Sequence, residues 1–171
     1  DTFPAIALAA TYLYSVKSVG LNEVVGILPV DPFVEAHFFE RIRDLESVLL
    51  YSKADLVLIG VNPTYPSSKY GYIIPKEPTD DNEFIEVSHF KEKPSEQQAQ
   101  TLIGENALWN AGVFTFKLDY IISLLQEKGF PIQYDELQKQ YDRLPKNSFD
   151  YEVVEKANRI VALPYKGYWK D

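Results

Sequence analysis

The feature that most constrains the fold of this chain is the alternation of short apolar runs with longer segments of helical character. Four runs of strand length are rich in aliphatic and β-branched residues, at 24–30, 55–61, 108–116 and 159–163. Strands with continuous apolar sequence belong in sheets that are covered on both faces. Because helical segments separate these runs, the order predicts an α/β fold with a mixed, mainly parallel central sheet.

Helix signals fill the intervals between the strands. The predicted helices cover 4–19, 33–52, 95–103, 118–128, 133–144 and 149–157. The third of them begins with Ser95 and Gln98 at the spacing of a capping box, in which each side chain satisfies a backbone N–H. Residues 73–75 and 84–90 predict a small β-ribbon on either side of an acidic turn at 80–82.

The composition excludes several classes of function. The chain has 171 residues, enough for one domain, with no cysteine and only 2 histidines, so a thiolate or histidine-rich metal site is not expected. Its net charge of −8 argues against binding to nucleic acid. No run is long and apolar enough to span a membrane, and no signal peptide is predicted, so the cytoplasm is the expected location.

Two short motifs predict a ligand site. Glu92 and Lys93 stand side by side in the segment FKEKP, and Asn110 and Gly112 interrupt the apolar segment WNAGVF. Asparagine and glycine weaken a strand, but they suit a ligand that needs a directed hydrogen bond and close backbone approach. Together the motifs indicate a polyhydroxylated, anionic ligand. The structural alternatives are an exposed ion pair for the first motif and a bulge in an edge strand for the second.

Asp31 and Asp171 are candidate ligands of a metal ion. Asp31 directly follows the strand predicted at 24–30, and ligands of open α/β sheets bind beyond the carboxyl ends of strands. Taken singly, Asp31-Pro32 is better explained as a turn, and Asp171 as an ordinary solvated charge. As a pair they suit Mg²⁺, which takes one or two carboxylates together with substrate phosphates.

The order of seven segments resembles the sugar-1-phosphate nucleotidyltransferases, and most closely the mannose-1-phosphate guanylyltransferases. The matching segments are DTFPAIALAA at 1–10, LPVDPFV at 28–34, YGYI at 70–73, FKEKP at 90–94, WNAGVFTF at 109–116, SFDYEVVEKA at 148–157 and GYWKD at 167–171. The segments cover the whole chain. One departure is Pro32, which stands where the family usually has a histidine after the metal-binding aspartate.

The resemblance implies a three-layer, Rossmann-like fold and a reaction in which GTP and mannose 1-phosphate give GDP-mannose and pyrophosphate, with Mg²⁺ as cofactor. Its implied catalytic residues are the two metal-binding aspartates, Asp31 and Asp171, and the sugar-phosphate lysine, Lys93. Its implied substrate-binding residues are Pro4 and Ala5 near the guanine, Gly71, Glu92, Asn110 and Gly112 around the sugar, and Asp150, a pocket-lining acid whose own sequence context is also that of a helix start.

The resemblance also implies that residues 1–171 are part of a longer nucleotidyltransferase domain. The family has an upstream glycine-rich loop with a catalytic basic residue, and it continues beyond the segment matched by GYWKD. We therefore expect the chain alone to be inactive, and to form a homo-oligomer through an unpaired strand edge or to keep a distorted sheet there. Two alternatives stay open: a non-catalytic sugar-nucleotide-binding or regulatory domain, and a nucleotidyltransferase for another sugar 1-phosphate or base.

Overall fold

The computed structural model describes residues 1–77 and 84–171, and by their contacts these residues form two compact units. One unit comprises Asp1–Val25 and Phe116–Lys156, and the other comprises Gly26–Thr115 and Ala157–Asp171. The acidic turn predicted at 80–82 lies outside the described residues. Among the helices of the described ranges, none has the length and apolar character needed to cross a membrane.

Helices and strands alternate along most of the chain. The α-helices are α1 (Thr2–Thr11), α2 (His37–Ser52), α3 (Glu96–Gly104), α4 (Leu118–Glu127), α5 (Tyr134–Lys139) and α6 (Phe149–Glu152). The strands are β1 (Val24–Ile27), β2 (Phe33–Val34), β3 (Leu56–Val61), β4 (Tyr72–Pro75), β5 (Ile85–Lys91), β6 (Leu108–Lys117), β7 (Ile160–Tyr165) and β8 (Trp169–Lys170). The α/β class is therefore confirmed.

The unit built from Asp1–Val25 and Phe116–Lys156 is helical, with α1 packed against α4 and α6. Its buried apolar side chains include Phe3, Ala7, Leu118, Ile121, Leu125 and Phe149. The helix predicted at 4–19 is shorter, because the α-helix ends at Thr11 and continues as a π-helical turn over Tyr12–Val16.

A buried carboxylate stabilises this helical unit. Glu152 is only 6% exposed, and it accepts a hydrogen bond from Asn147 Nδ2 at 2.7 Å and one from Lys156 Nζ at 3.0 Å. Lys128 Nζ lies 3.6 Å from the same carboxylate. Burial by itself raises the pKa of Glu152, but the hydrogen bonds and the two ammonium groups outweigh it and hold that pKa below its ordinary value.

The strands form a six-stranded sheet with the order β1-β6-β3-β7-β5-β4, and most of its residues belong to the other unit. Every residue of β3 is buried, and β3 pairs in parallel with β7 from Leu56 opposite Ile160 to Val61 opposite Tyr165. The β3–β6, β4–β5, β4–β6 and β5–β7 pairs are antiparallel. The sheet is mixed, as predicted.

The prediction that parallel pairing predominates is wrong for these registered pairs. A helix between two strands favours parallel pairing only when the two strands also become neighbours in the sheet. The strands β5 and β6 are connected through α3 but do not lie side by side. The predicted ribbon at 73–75 and 84–90 exists as the antiparallel pair β4–β5, and it forms part of the larger sheet.

A separate two-stranded ribbon joins β2 to β8. Phe33 pairs with Lys170 and Val34 pairs with Trp169, in antiparallel register. The prediction that Phe33 and Val34 begin a helix is wrong, and α2 starts only at His37. Their strand conformation depends on partners far away in sequence, which local periodicity does not register.

Candidate functional site

Gly71 lies close to two of the other predicted substrate-binding residues. Its carbonyl oxygen accepts a hydrogen bond from the backbone N–H of Asn110 at 2.9 Å. A Cβ atom at position 71 would lie 2.8 Å from Glu92 Oε2 and would overlap the ring of Phe90. Because glycine has no Cβ atom, it permits this approach, and the structure brings Gly71 next to Glu92 and to the backbone of Asn110.

Glu92 and Lys93 form the ion pair that stands at the end of β5. Lys93 Nζ lies 3.6 Å from Glu92 Oε1, and the two side chains differ in exposure, with 60% for Lys93 and 12% for Glu92. The backbone of Lys93 is left-handed, with a φ of 42°. This turn ends the strand alternation after β5, so the mostly buried carboxylate and the exposed ammonium are not fixed to opposite faces of the sheet.

Asn110 also shapes the backbone of β6. Its Oδ1 accepts a hydrogen bond from the backbone N–H of Gly112 at 3.1 Å. Gly112 has a φ of 74°, a conformation that favours glycine. Asn110 stands opposite Gly60, where the register of β3 and β6 shifts. This irregularity lies in an interior strand, since β6 is between β1 and β3, and the edge-strand alternative is therefore excluded.

Asp31 and Asp171 lie at the same end of the β2–β8 ribbon. The register that pairs Phe33 with Lys170 places Asp171 opposite Pro32, next to Asp31 in sequence. Both aspartates are exposed. The ribbon therefore brings two acidic residues that are 140 positions apart in the chain to the same end of one structural element.

A cluster of aromatic rings borders Asp171, and sequence reasoning assigned it no role. This aromatic cluster consists of Tyr65, Tyr70, Trp109 and Trp169. Tyr70 lies 4.8 Å from Trp109 and 5.3 Å from Trp169, measured between ring centroids, and Tyr65 lies 5.1 Å from Trp109. Burial raises the pKa of Tyr70 to about 12, helped by the hydrogen bond with Tyr65, by the electrostatic influence of Tyr65 and by the negative charge of Asp171.

The aromatic cluster contains both tryptophans of the chain. Within the described ranges, the buried indole Nε1 atoms of Trp109 and Trp169 find no hydrogen-bond partner. A buried donor without a partner costs about 1–3 kcal/mol. Trp109 directly precedes Asn110, and Trp169 stands two residues before Asp171. The sequence signal that could have indicated the aromatic cluster is that each tryptophan stands close to a predicted site residue in the same motif.

The remaining predicted residues, Pro4, Ala5 and Asp150, belong to the helical unit. In this unit the start of α1 contacts the start of α6 through two hydrogen bonds. Thr2 Oγ1 accepts a hydrogen bond from the backbone N–H of Phe149 at 2.8 Å, and the backbone N–H of Phe3 donates to the carbonyl oxygen of Asn147 at 3.2 Å. Within this unit the fold thus joins the first and sixth motif segments. Pro4 is buried, Ala5 is exposed and Asp150 is half-buried.

Comparison with known proteins gives consistent results. The family model described as nucleotidyl transferase matches residues 1–171. An Escherichia coli protein named mannose-1-phosphate guanylyltransferase is 29% identical over 196 residues, an alignment that covers 100% of this chain and 41% of that protein. The chain spans about two fifths of the length of the curated relatives that it matches.

Solved structures share the fold. A Thermus thermophilus protein named mannose-1-phosphate geranyltransferase has a TM-score of 0.77 at 29% identity, covering 99% of this chain and 51% of that one. A UDP-glucose pyrophosphorylase complexed with UDP-glucose has a TM-score of 0.60 at 21% identity, covering 99% and 56% respectively. The second likeness concerns the fold alone, and together they confirm the predicted Rossmann-like class.

Proposed function

We propose that this chain, which belongs to the nucleotidyl transferase family, supplies the sugar pocket and the metal-binding aspartates of an enzyme that transfers a guanylyl group from GTP to mannose 1-phosphate. The observation that carries the proposal is the close approach of the Glu92 carboxylate and of the Asn110 backbone to Gly71. The name of the Escherichia coli relative supports the choice of mannose and guanine.

The proposed reaction is an in-line displacement at phosphorus. A phosphate oxygen of mannose 1-phosphate attacks the α-phosphorus of GTP and forms the new P–O bond. The bond between the α-phosphorus and the bridging oxygen breaks, and pyrophosphate leaves with the electron pair. Such a step depends on alignment and charge neutralisation, and it needs no protein nucleophile.

The sugar side of the site is assigned to three residues. Glu92, mostly buried, accepts hydrogen bonds from sugar hydroxyls, and charge-assisted bonds of this kind are the stronger ones. Asn110, buried beside Gly71, contributes a second polar contact to the sugar. Lys93 is exposed enough to meet the sugar phosphate at the rim.

The metal side of the site is assigned to Asp31 and Asp171. Their donor chemistry fits Mg²⁺, because both are exposed carboxylates at one end of the same ribbon. No group of three or more acidic, histidine or cysteine side chains within the described residues could hold a metal by itself. That agrees with a cation that keeps water and substrate phosphates as its other ligands. When bound, Mg²⁺ neutralises charge on the triphosphate and aligns it.

The test is pyrophosphate release by the complete native protein. With Mg²⁺, GTP and mannose 1-phosphate should give pyrophosphate, whereas UTP with glucose 1-phosphate should give at least about tenfold less, a difference of roughly 1.4 kcal/mol. Preference for the second pair would overturn the assigned substrates. Calorimetric binding of GDP-mannose without any turnover would instead favour the non-catalytic alternative.

A further inference from the structure

The β2–β8 ribbon is too short to hold Asp31 and Asp171 in place by its own pairing. Each strand has two residues, and the ribbon has two registered pairs. Even longer isolated two-stranded ribbons are only marginally stable in water. Both carboxylates lie just beyond the paired residues, so their positions depend on what fixes the ribbon.

Glu35 extends the ribbon by one further position. The register that pairs Val34 with Trp169 places Glu35 opposite Tyr168. The pairing there is made by a side chain, because Glu35 Oε2 accepts the backbone N–H of Tyr168 at 2.9 Å. A hydrogen bond from a backbone N–H to a carboxylate is charge-assisted and stronger than a neutral one.

The other polar group of the Tyr168 backbone is held from the main sheet. Its carbonyl oxygen accepts a hydrogen bond from the hydroxyl of Tyr165 at 3.3 Å. Tyr165 is the last residue of β7 and is only 2% exposed. Burial raises the pKa of Tyr165, which keeps its hydroxyl protonated as a donor. Tyr168 is therefore fixed on one side by Glu35 and on the other by the six-stranded sheet.

His37, at the start of α2, completes the arrangement. Its Nε2 lies 3.9 Å from Glu35 Oε2 and 3.4 Å from the carbonyl oxygen of Lys166. Its ring contacts that of Tyr165 in a tilted arrangement, with centroids 4.8 Å apart and an interplanar angle of 36°. A Cβ atom at position 167 would lie 2.5 Å from His37 Nε2. Gly167 is thus required by close packing of the turn against His37 and Tyr165.

We propose that Glu35, supported by His37, Tyr165 and Gly167, is a positioning residue that fixes Asp171 beside Asp31 and thereby sets the affinity of the metal site. The role of the two aspartates rests on the proposed function, whereas the contact between Glu35 and Tyr168 does not. Supporting residues of this kind typically change metal affinity or activity by about 10–100-fold when they are removed.

The experiment compares Glu35→Ala, Glu35→Gln and the control Glu40→Ala in the complete native protein. Glu40 is an exposed acid in the first turn of α2, so its loss changes the net charge by the same amount as the loss of Glu35. Mn²⁺, which suits carboxylate ligands as Mg²⁺ does, is titrated in the presence of GTP and followed by electron paramagnetic resonance. Hydrogen exchange of the Tyr168 amide is measured by NMR without nucleotide.

We expect Glu35→Ala to raise the Mn²⁺ Kd by about tenfold or more and to speed exchange at Tyr168. Glu35→Gln retains an acceptor oxygen and should restore both values to within about threefold of the native protein, and Glu40→Ala should match the native protein. Gly167→Ala should reproduce the Glu35→Ala result by a separate route, which guards against misfolding of one variant.

The positioning role of Glu35 is excluded if Glu35→Ala and Gly167→Ala leave the Mn²⁺ Kd and the exchange of Tyr168 unchanged. It is also excluded if Glu35→Gln shows no recovery, because a general loss of structure would then explain the effect. Absence of pyrophosphate release by the native protein, with the Glu35 effects on Mn²⁺ and Tyr168 intact, would count against the proposed function alone.

Discussion

The β3 strand and the β2–β8 ribbon show opposite ways of using apolar strand sequence. In β3 all six residues are buried, and hydrogen bonds join it to strands on both sides. In the ribbon Phe33 is 70% exposed, and nearby Val30 is fully exposed. This difference indicates that most of the stability comes from the sheet. The candidate metal ligands lie in a segment whose own strand pairing contributes little stability.

The largest loss of stability is expected from a substitution in the buried strand β3. Leu58→Ala removes a side chain that is 0% exposed, and it should lower the free energy of unfolding by about 2–5 kcal/mol. Val30→Ala, its control beside the ribbon, should change that free energy by less than about 0.5 kcal/mol. Urea unfolding of the complete native protein measures both. Equal losses would remove the distinction between sheet and ribbon.

A second substitution, at Asp31 beside the ribbon, should reduce activity without reducing stability. Asp31→Ala should reduce kcat/KM for pyrophosphate release by roughly 10²–10³-fold, the range for losing one preorganised electrostatic contact. Because Asp31 is exposed, the midpoint of urea unfolding should stay at the native value. Glu46→Ala removes an exposed acid from α2 and is the matched control for charge. Turnover retained in Asp31→Ala would exclude this aspartate from the metal site.

A smaller effect is expected at Gly71, beside the proposed sugar-binding residues. Gly71→Ala introduces a Cβ atom against Phe90 and Glu92, and such overpacking costs about 1–3 kcal/mol of stability. The displaced Glu92 should also raise KM for mannose 1-phosphate more than KM for GTP. Gly104→Ala is the control, since a Cβ atom there meets no other atom within 4 Å. Equal increases in both KM values would argue against a sugar pocket at Gly71.

The smallest expected effect concerns a carboxylate that serves stability. Glu152 has a lowered pKa, so its ionised form stabilises the folded state above the ordinary carboxyl pKa of about 4.3. That contribution is lost as pH falls through the lower pKa of the folded state. The difference in unfolding free energy between the native protein and Glu152→Gln should therefore shrink below about pH 4.3. A pH-independent difference would contradict the assignment, and enzymatic turnover per folded molecule should be unchanged.

Local signals predicted a substantial part of this protein. The capping box at the start of α3 is present in full, with Gln98 N–H donating to Ser95 Oγ at 3.2 Å and Ser95 N–H donating to Gln98 Oε1 at 3.1 Å. The apolar run at 55–61 became the buried strand β3. These features depend on neighbouring residues or on continuous hydrophobicity, and both can be read from a single segment.

Contacts between distant segments explain the failures. Phe33 and Val34 continue an apolar pattern that fits a helix, yet they pair with Trp169 and Lys170. The predicted roles of Asp31, Lys93 and Asp171 came from motif order, and they stay predictions. Glu35 and His37 carried no motif signal, because their partners are at 165–168.

The α/β class, most helix positions and the candidate site motifs could be predicted from the sequence, because periodicity, capping signals and motifs are contained in short segments. Which motifs meet depends on the tertiary structure. It brings Gly71 next to Glu92 and the Asn110 backbone, places Asp31 and Asp171 at one end of the ribbon, and buries two indole donors. The β3–β7 and β2–β8 pairs join residues more than 100 positions apart, and the free energy of such pairs comes from packing and register that no single segment contains.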